Sequence, residues 1–313
     1  MFKIDQSNPA SLKMVGGPVS SGGEFPASVA VSAAKNMVCV VNGGAINGVQ
    51  CFKPDEQLGL IAMPNTTRSL ELPQTTPPTG PAGTVSDILF SEDSTKLLVS
   101  VKGLPPTPGF VASWDVADDG SLSADFIASP PAQGGLLPFS MSIIPGKNAV
   151  LATDAGIGFS SFDLSTLGAG ATAKSQVFPI EGQGATCWSS FSQKTGSFFL
   201  TDVRTDIVTE VAIADDLSGS IIKQYPLTPG SATIDNAIAN LPANDFLYVL
   251  AANATSIDVL ALNGQGQAAK LQTLNLGDQS DIKVSANRLQ GMAVFVKSSV
   301  KSGKMRRVFR ERN

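Results

Sequence analysis

The feature that most limits the fold is a phrase that returns about every fifty residues. It is a run of alternating apolar residues, then an acid or amide, then a turn. It ends at Asp5 (FKID), Asp55 (CFKPD), Asp115 (SWD), Asp163 (SFD), Asp215 (VAIAD) and Asn263 (VLALN), at intervals of 50, 60, 48, 52 and 48 residues. A fixed period in this range marks solenoids, propellers or arrays. Each unit also opens alike, with FPASVAVS (25–32), TVSDILFS (84–91), PFSMSII (138–144), TCWSSFS (186–192) and TIDNAIA (233–239). A turn and a second β-rich run follow: NMVCVV, TKLLVS, NAVLAT, SFFLTD and DFLYVL. Short strands rich in β-branched and aromatic residues, parted by turn residues, read as four-stranded meanders. Such units repeated radially make a β-propeller. A stacked β-helix would need shorter coils of chain, and no 3.6-residue period recurs.

The expected fold is therefore all-β, a propeller with about five complete four-stranded blades and partial ones at both ends. Residues 1–300 form one domain, with 1–20 and 283–300 as partial terminal blades. LQGMAVFV (289–296) starts a further unit, and 1–20 reads as the last strands of a unit that never began. Propellers close by pairing strands from their two termini, which removes exposed edges. These pieces do not add up to a full blade, so missing N-terminal sequence is expected, and an unclosed ring would expose its strand edges. As written, MFKIDQSNP has no charged-then-apolar leader.

Thirty Gly and twenty Pro among 313 residues favour turns and short strands. No apolar run reaches the length of a membrane span, so no membrane partner is expected. The net charge of −4 hides a division: residues 301–313 hold six Lys/Arg and one acid, so the body is more acidic still. An acidic body offers no phosphate-binding footprint, and no nucleic-acid partner is expected. The tail reads as a disordered end or a gene-model artefact, the alternative being contact with RNA or an anionic membrane.

In VCVVNGGAINGVQCF (38–52), Cys39 and Cys51 sit symmetrically about a glycine-rich turn and face one another on adjacent strands. A disulfide fits that geometry. Two buried free thiols packing as small hydrophobes fit it too. The chain has three cysteines and no histidine, without the CxxC clustering of zinc sites, so no zinc, other metal or cofactor is expected. Cys187, beside Trp188, has no histidine base and is a poor nucleophile. The sequons Asn65-Thr66-Thr67 and Asn253-Ala254-Thr255 fall in turns or strand ends. With a bridge, they favour an oxidising, secreted setting.

The stretch GGPVSSGGEFPASVAVS…VCVVNGGAINGVQCF…NTTRSLELPQTTPPTGPAGTVSDILFSEDSTKLLVSVKG, with ATCWSSFS and LQGMAVF, resembles fungal proteins of the lactonase-type propeller superfamily. These are labelled 3-carboxymuconate cyclase-like, and several are secreted or cell-wall glycoproteins. The resemblance runs from Phe2 to about Val296. It implies seven blades, a lost leader and a lost initial segment. Relatives that lactonise muconates or open phosphogluconolactone place histidines, with Arg and acidic partners, around the channel. No catalytic histidine can be carried over here, so the label can describe fold without activity.

No phosphate loop, GxSxG elbow, HExxH or dinucleotide fingerprint is present. The candidate site is geometric, because the first strand of each blade lines the channel. It supplies Ser28, Ser86, Asp87, Ser140, Trp188, Ser189, Asp235, Asn236 and Gln290. Second-strand ends and loops add Asn42, Asp154, Asp202, Arg204 and Asp206. Asp87 and Asp235 are the general acid/base candidates, against the plainer reading of carboxylates accepting backbone N–H groups. Arg204 is a fork for a substrate carboxylate, or else half of a solvated ion pair.

Two functions follow. One is a non-enzymatic, secreted surface propeller, monomeric, binding a wall polymer, a protein or a small carboxylated molecule. The other is a cofactor-free cyclase or lactonase, such as a muconate cycloisomerase, in which Arg204 holds a carboxylate and Asp87 or Asp235 moves the proton.

Overall fold

The computed structural model describes residues 1–168, 170–277 and 284–297. It opens with a hairpin of β1 (Phe2–Ile4) and β2 (Leu12–Met14), all six residues exposed. Five antiparallel four-stranded sheets follow in chain order. The first holds β3 (Pro26–Ser32), β4 (Met37–Asn42), β5 (Gly48–Asp55) and β6 (Gly59–Ala62), and the short β7 (Arg68–Ser69) also pairs with β5. The second holds β8 (Val85–Phe90), β9 (Lys96–Val101), β10 (Phe110–Asp115) and β11 (Ile127–Ser129). The third holds β12 (Pro138–Ile144), β13 (Ala149–Asp154), β14 (Gly158–Asp163) and β15 (Lys174–Pro179). The fourth runs β16 (Thr186–Ser192), β17 (Ser197–Asp202), β18 (Ile207–Ile213) and β19 (Gly219–Pro226). The fifth runs β20 (Thr233–Asn240), β21 (Asp245–Ala251), β22 (Ser256–Leu262) and β23 (Ala268–Asn275).

The fold is an all-β propeller. The fifty-residue phrase is the third strand of each blade, so β1 and β2 correspond to the third and fourth strands of one more unit. Four apolar layers lie between successive sheets. Trp114 and Leu97 sit in the first, Phe162 and Val150 in the second, Phe159 and Phe198 in the third, Phe199 and Leu247 in the fourth. Each such side chain, fully buried, contributes on the order of 1.5–3 kcal/mol. On β3 the alternation shows which side is covered. Ala30 and Ser32 face the first layer, while Val29 and Val31 on the other side are 60% and 69% exposed.

Cys39 and Cys51 pair across β4 and β5 and form a disulfide, both sulfurs fully buried. The Cys51 N–H donates to Thr66 Oγ1 and its carbonyl accepts from Met63 N. Its backbone groups thus turn away from β4. That leaves Cys39–Cys51 a non-hydrogen-bonded pair, the kind with the closest side chains.

One expected element differs. Residues 289–296 carry no strand pairing. Pairing needs a neighbouring second strand, and none lies beside this segment among the described residues. It is still anchored as a first strand would be: Met292 N donates to Asp235 as Met141 N donates to Asp87. Residue 283, residues 298–300 and the basic tail 301–313 lie outside the described residues. Among the described residues no helix is long and apolar enough to cross a membrane.

Candidate functional site: the inner edge of the blades

The five inner strands share one irregularity. Each pairs with its second strand in two registers, with a shift between Pro26 and Ser28, Val85 and Ile88, Pro138 and Met141, Thr186 and Ser189, and Thr233 and Asp235. A bulge re-aims the side chain beside it. At the equivalent position after each bulge stand Ser28, Asp87, Ser140, Trp188 and Asp235, and the structure brings these five candidates to one inner edge.

Hydroxyls opposite the bulges join one blade to the next. Ser100 Oγ accepts from Asp87 N at 3.0 Å and donates to the Phe139 carbonyl of the third blade. Thr153 Oγ1 accepts from Ser140 N at 2.9 Å and donates to the Cys187 carbonyl of the fourth. Thr201 Oγ1 lies 3.4 Å from the Ile234 carbonyl of the fifth. A side-chain hydroxyl can accept and donate at once, so it satisfies the backbone groups that a bulge leaves outside the ladder.

The Asp87 carboxylate spans three blades. Its Oδ1 accepts from Ser28 Oγ at 3.0 Å and Ile88 N at 2.8 Å, and its Oδ2 from Met141 N at 2.9 Å. Burial nevertheless dominates and pushes its pKa up to about 6. Asp235 accepts from Asn236 N at 2.7 Å and Met292 N at 2.6 Å. Burial raises it to about 6 as well, and the Asp87 charge adds to the rise. Ser140 Oγ accepts from Ser189 N at 3.1 Å, while Asn236 Nδ2 donates to the Trp188 carbonyl at 3.0 Å.

The other candidates lie apart from this edge or serve loops. Asp202 accepts from Gly184 N, Ala185 N, Arg204 N and Thr205 N at 2.7–3.1 Å, tying the loop before β16 to the turn after β17. Asp154 does the same for Leu136, Leu137 and Gly156. The Arg204 side chain is exposed and forms no salt bridge among the described residues. Gln290 is exposed and its amide donates to Asn287 O at 3.3 Å. Asn65 and Asn253 are exposed. Among the described residues no three His, Cys, Asp or Glu side chains cluster as metal ligands.

Sequence reasoning missed Lys102. It follows β9 directly and is only 5% exposed. Its Nζ donates to Val85 O at 3.0 Å and to Ser86 Oγ, and lies 4.9 Å from the Phe139 ring centroid. Phe139 in turn meets half-buried Trp188 edge-on, with centroids 5.6 Å apart. Burial lowers the Lys102 pKa to about 8 and raises the Cys187 thiol to about 11. Lys102 also contributes to the wall of a largely apolar cavity of about 440 Å³ between loops 72–83 and 102–110. The readable signal was a lysine continuing the buried run KLLVSV.

No family model matches the chain, and no curated protein matches it. Solved structures do. A putative 6-phosphogluconolactonase from Bacteroides uniformis superposes with a TM-score of 0.66 at 15% identity, over 88% of this chain and 77% of that one. Its counterpart from Bacteroides fragilis gives 0.63 at 17% identity, over 88% and 76%. The Pseudomonas aeruginosa periplasmic gluconolactonase PpgL gives 0.59 at 14% identity, over 88% and 91%. The chain has the fold of the lactonase-type propellers. At these identities the likeness is one of fold, and chemistry has to be argued from the residues at the inner edge.

Proposed function

We propose that this chain is a ligand-binding propeller of the lactonase type whose inner-edge carboxylates join blades and transfer no protons. The observation that carries this reading is Asp87. Both its oxygens are occupied by Ser28, Ile88 and Met141, and the side chain is buried. A general base must reach the proton it removes, and the buried Asp87 carboxylate, with three of its roughly four acceptor sites taken by fixed donors, keeps only a buried one. The ligand in this reading is a small carboxylated molecule at the inner edge. The buried disulfide and the exposed Asn65 and Asn253 favour a secreted or wall-associated glycoprotein. The quoted stretches favour the fungal, seven-bladed, cyclase-like group.

A second reading is a cofactor-free lactonase or cyclase. It is favoured by the names of the fold's neighbours and by Asp235, which holds fewer hydrogen bonds than Asp87 at a pKa near 6. The test is initial-rate assay of the glycosylated protein from culture fluid on muconates and on aldonolactones. The binding reading expects no turnover by the parent. Turnover lost in a folded Asp235→Asn variant would establish the second reading instead.

A further inference from the structure

We infer that Lys102, Phe139 and Trp188 form the recognition seat for a small organic anion, its carboxylate on the Lys102 ammonium and its flat apolar part on the aromatic pair. This rests on the binding reading and names the residues that confer its selectivity.

The fold itself does not need a cation at this position. The residue after each second strand donates its backbone N–H to the residue before the inner strand. Gly43 bonds Phe25, Lys102 bonds Thr84, Ala155 bonds Leu137, Val203 bonds Ala185 and Ala252 bonds Ala232. Four of these five positions carry an uncharged side chain, so the joint itself requires no cation. At Lys102 a cation is nonetheless 95% buried, and its hydrogen bonds go to two neutral acceptors, Val85 O and Ser86 Oγ. It forms none of the four salt bridges among the described residues. Burying a charge without a counter-charge is costly, and the Phe139 face returns only part of that cost. An arriving anion supplies the missing charge.

The aromatic pair sets the rest of the ligand. Phe139 and Trp188 stand edge to face, each half-buried, and the ammonium lies over the Phe139 ring, so partly exposed aromatic surface adjoins the ammonium. The role expected of exposed Arg204 thus falls to Lys102.

Trp188 is also the reporter. The only other tryptophan, Trp114, is fully buried in the first apolar layer. Binding of sodium benzoate, with benzamide as the uncharged control, is measured by Trp188 emission and by calorimetry. The parent is expected to bind benzoate saturably and more tightly than benzamide. Lys102→Met should weaken benzoate by about tenfold or more, as for loss of a charged hydrogen bond, and leave benzamide unchanged. Its urea midpoint should equal or exceed the parent's, since an apolar side chain replaces a buried charge. Benzamide binding to the parent as tightly as benzoate would overturn the proposal whether or not the variant folds. So would equal benzoate affinity in a folded Lys102→Met, or no saturable benzoate binding at millimolar concentrations. Turnover of a lactone by the parent would defeat the binding reading while leaving the Lys102 comparison intact.

Discussion

At the scale of single residues, the inner edge depends on hydroxyls that work on both sides. Thr153 is the clearest case, because its one oxygen serves the Ser140 N–H and the Cys187 carbonyl, all of it buried. Thr153→Val keeps the shape and removes the hydrogen bonds, leaving two buried backbone groups unpaired. A loss of about 1–3 kcal/mol in unfolding free energy by urea titration is expected. A loss within the scatter of surface substitutions would mean that water replaces the hydroxyl. The motif was present in the second strands LLVS, VLAT and FFLT. Its meaning was hidden because the partners, Phe139, Cys187 and Ile234, belong to the following blade, dozens of residues away. Asp87 was legible as an inner-edge carboxylate for the opposite reason: it sits next to its own bulge. The side that its oxygens would take was not legible, since Ser28 and Met141 come from the blades before and after. Lys102 escaped because a lysine at a strand end is ordinarily a solvated one.

At the scale of elements, periodicity was informative because alternation and turn chemistry are local. The inner strands begin within one residue of where the sequence phrases put them, and the recurring acid marks the end of the third strand. Elements whose pairing is non-local are less legible. Residues 289–296 have the composition of an inner strand and the Asp235 anchor of one, yet form no ladder among the described residues. The disulfide belongs to the local class. Cys39 and Cys51 lie 12 residues apart on neighbouring strands, so the bridge closes a short loop, worth about 2–3 kcal/mol through the unfolded state. Reduction under native conditions should lower the thermal midpoint by an amount matching that energy, without loss of β-sheet circular dichroism. Loss of the sheet signal on reduction would show that the bridge maintains the first blade outright.

At the scale of the whole molecule, the blades are separate four-stranded sheets joined by apolar layers and by inner-edge polar contacts that cross from one sheet to the next. Asp87 touches three blades, and it gives the molecule a pH dependence of definite sign. Asp87 and Asp235 have folded pKa values near 6, above the ordinary carboxylate value of 3.8. A raised folded pKa means that the native state holds protons the unfolded chain has released. The stability they contribute is full below about pH 4 and is lost as pH rises through 6. The chain has no histidine, so no imidazole titrates in this window. Asp5, Asp55, Asp93, Asp119 and Asp216, held low by their own turns, act below it. Lys102, Cys187 and Tyr225 act above it.

The most direct test of Asp87 as a clasp between blades is therefore the urea midpoint from pH 4.5 to 7.5 (a range of about three units) for the parent and for Asp87→Asn. The parent is expected to lose stability as pH rises through the window, by on the order of 1–3 kcal/mol. Asp87→Asn should be less stable at the acid end and flatter across the range. Its amide turns a donor toward the Met141 N–H and has no proton to lose. Parallel profiles, or a parent whose stability rises with pH, would contradict the claim that a buried Asp87 carboxyl joins the blades.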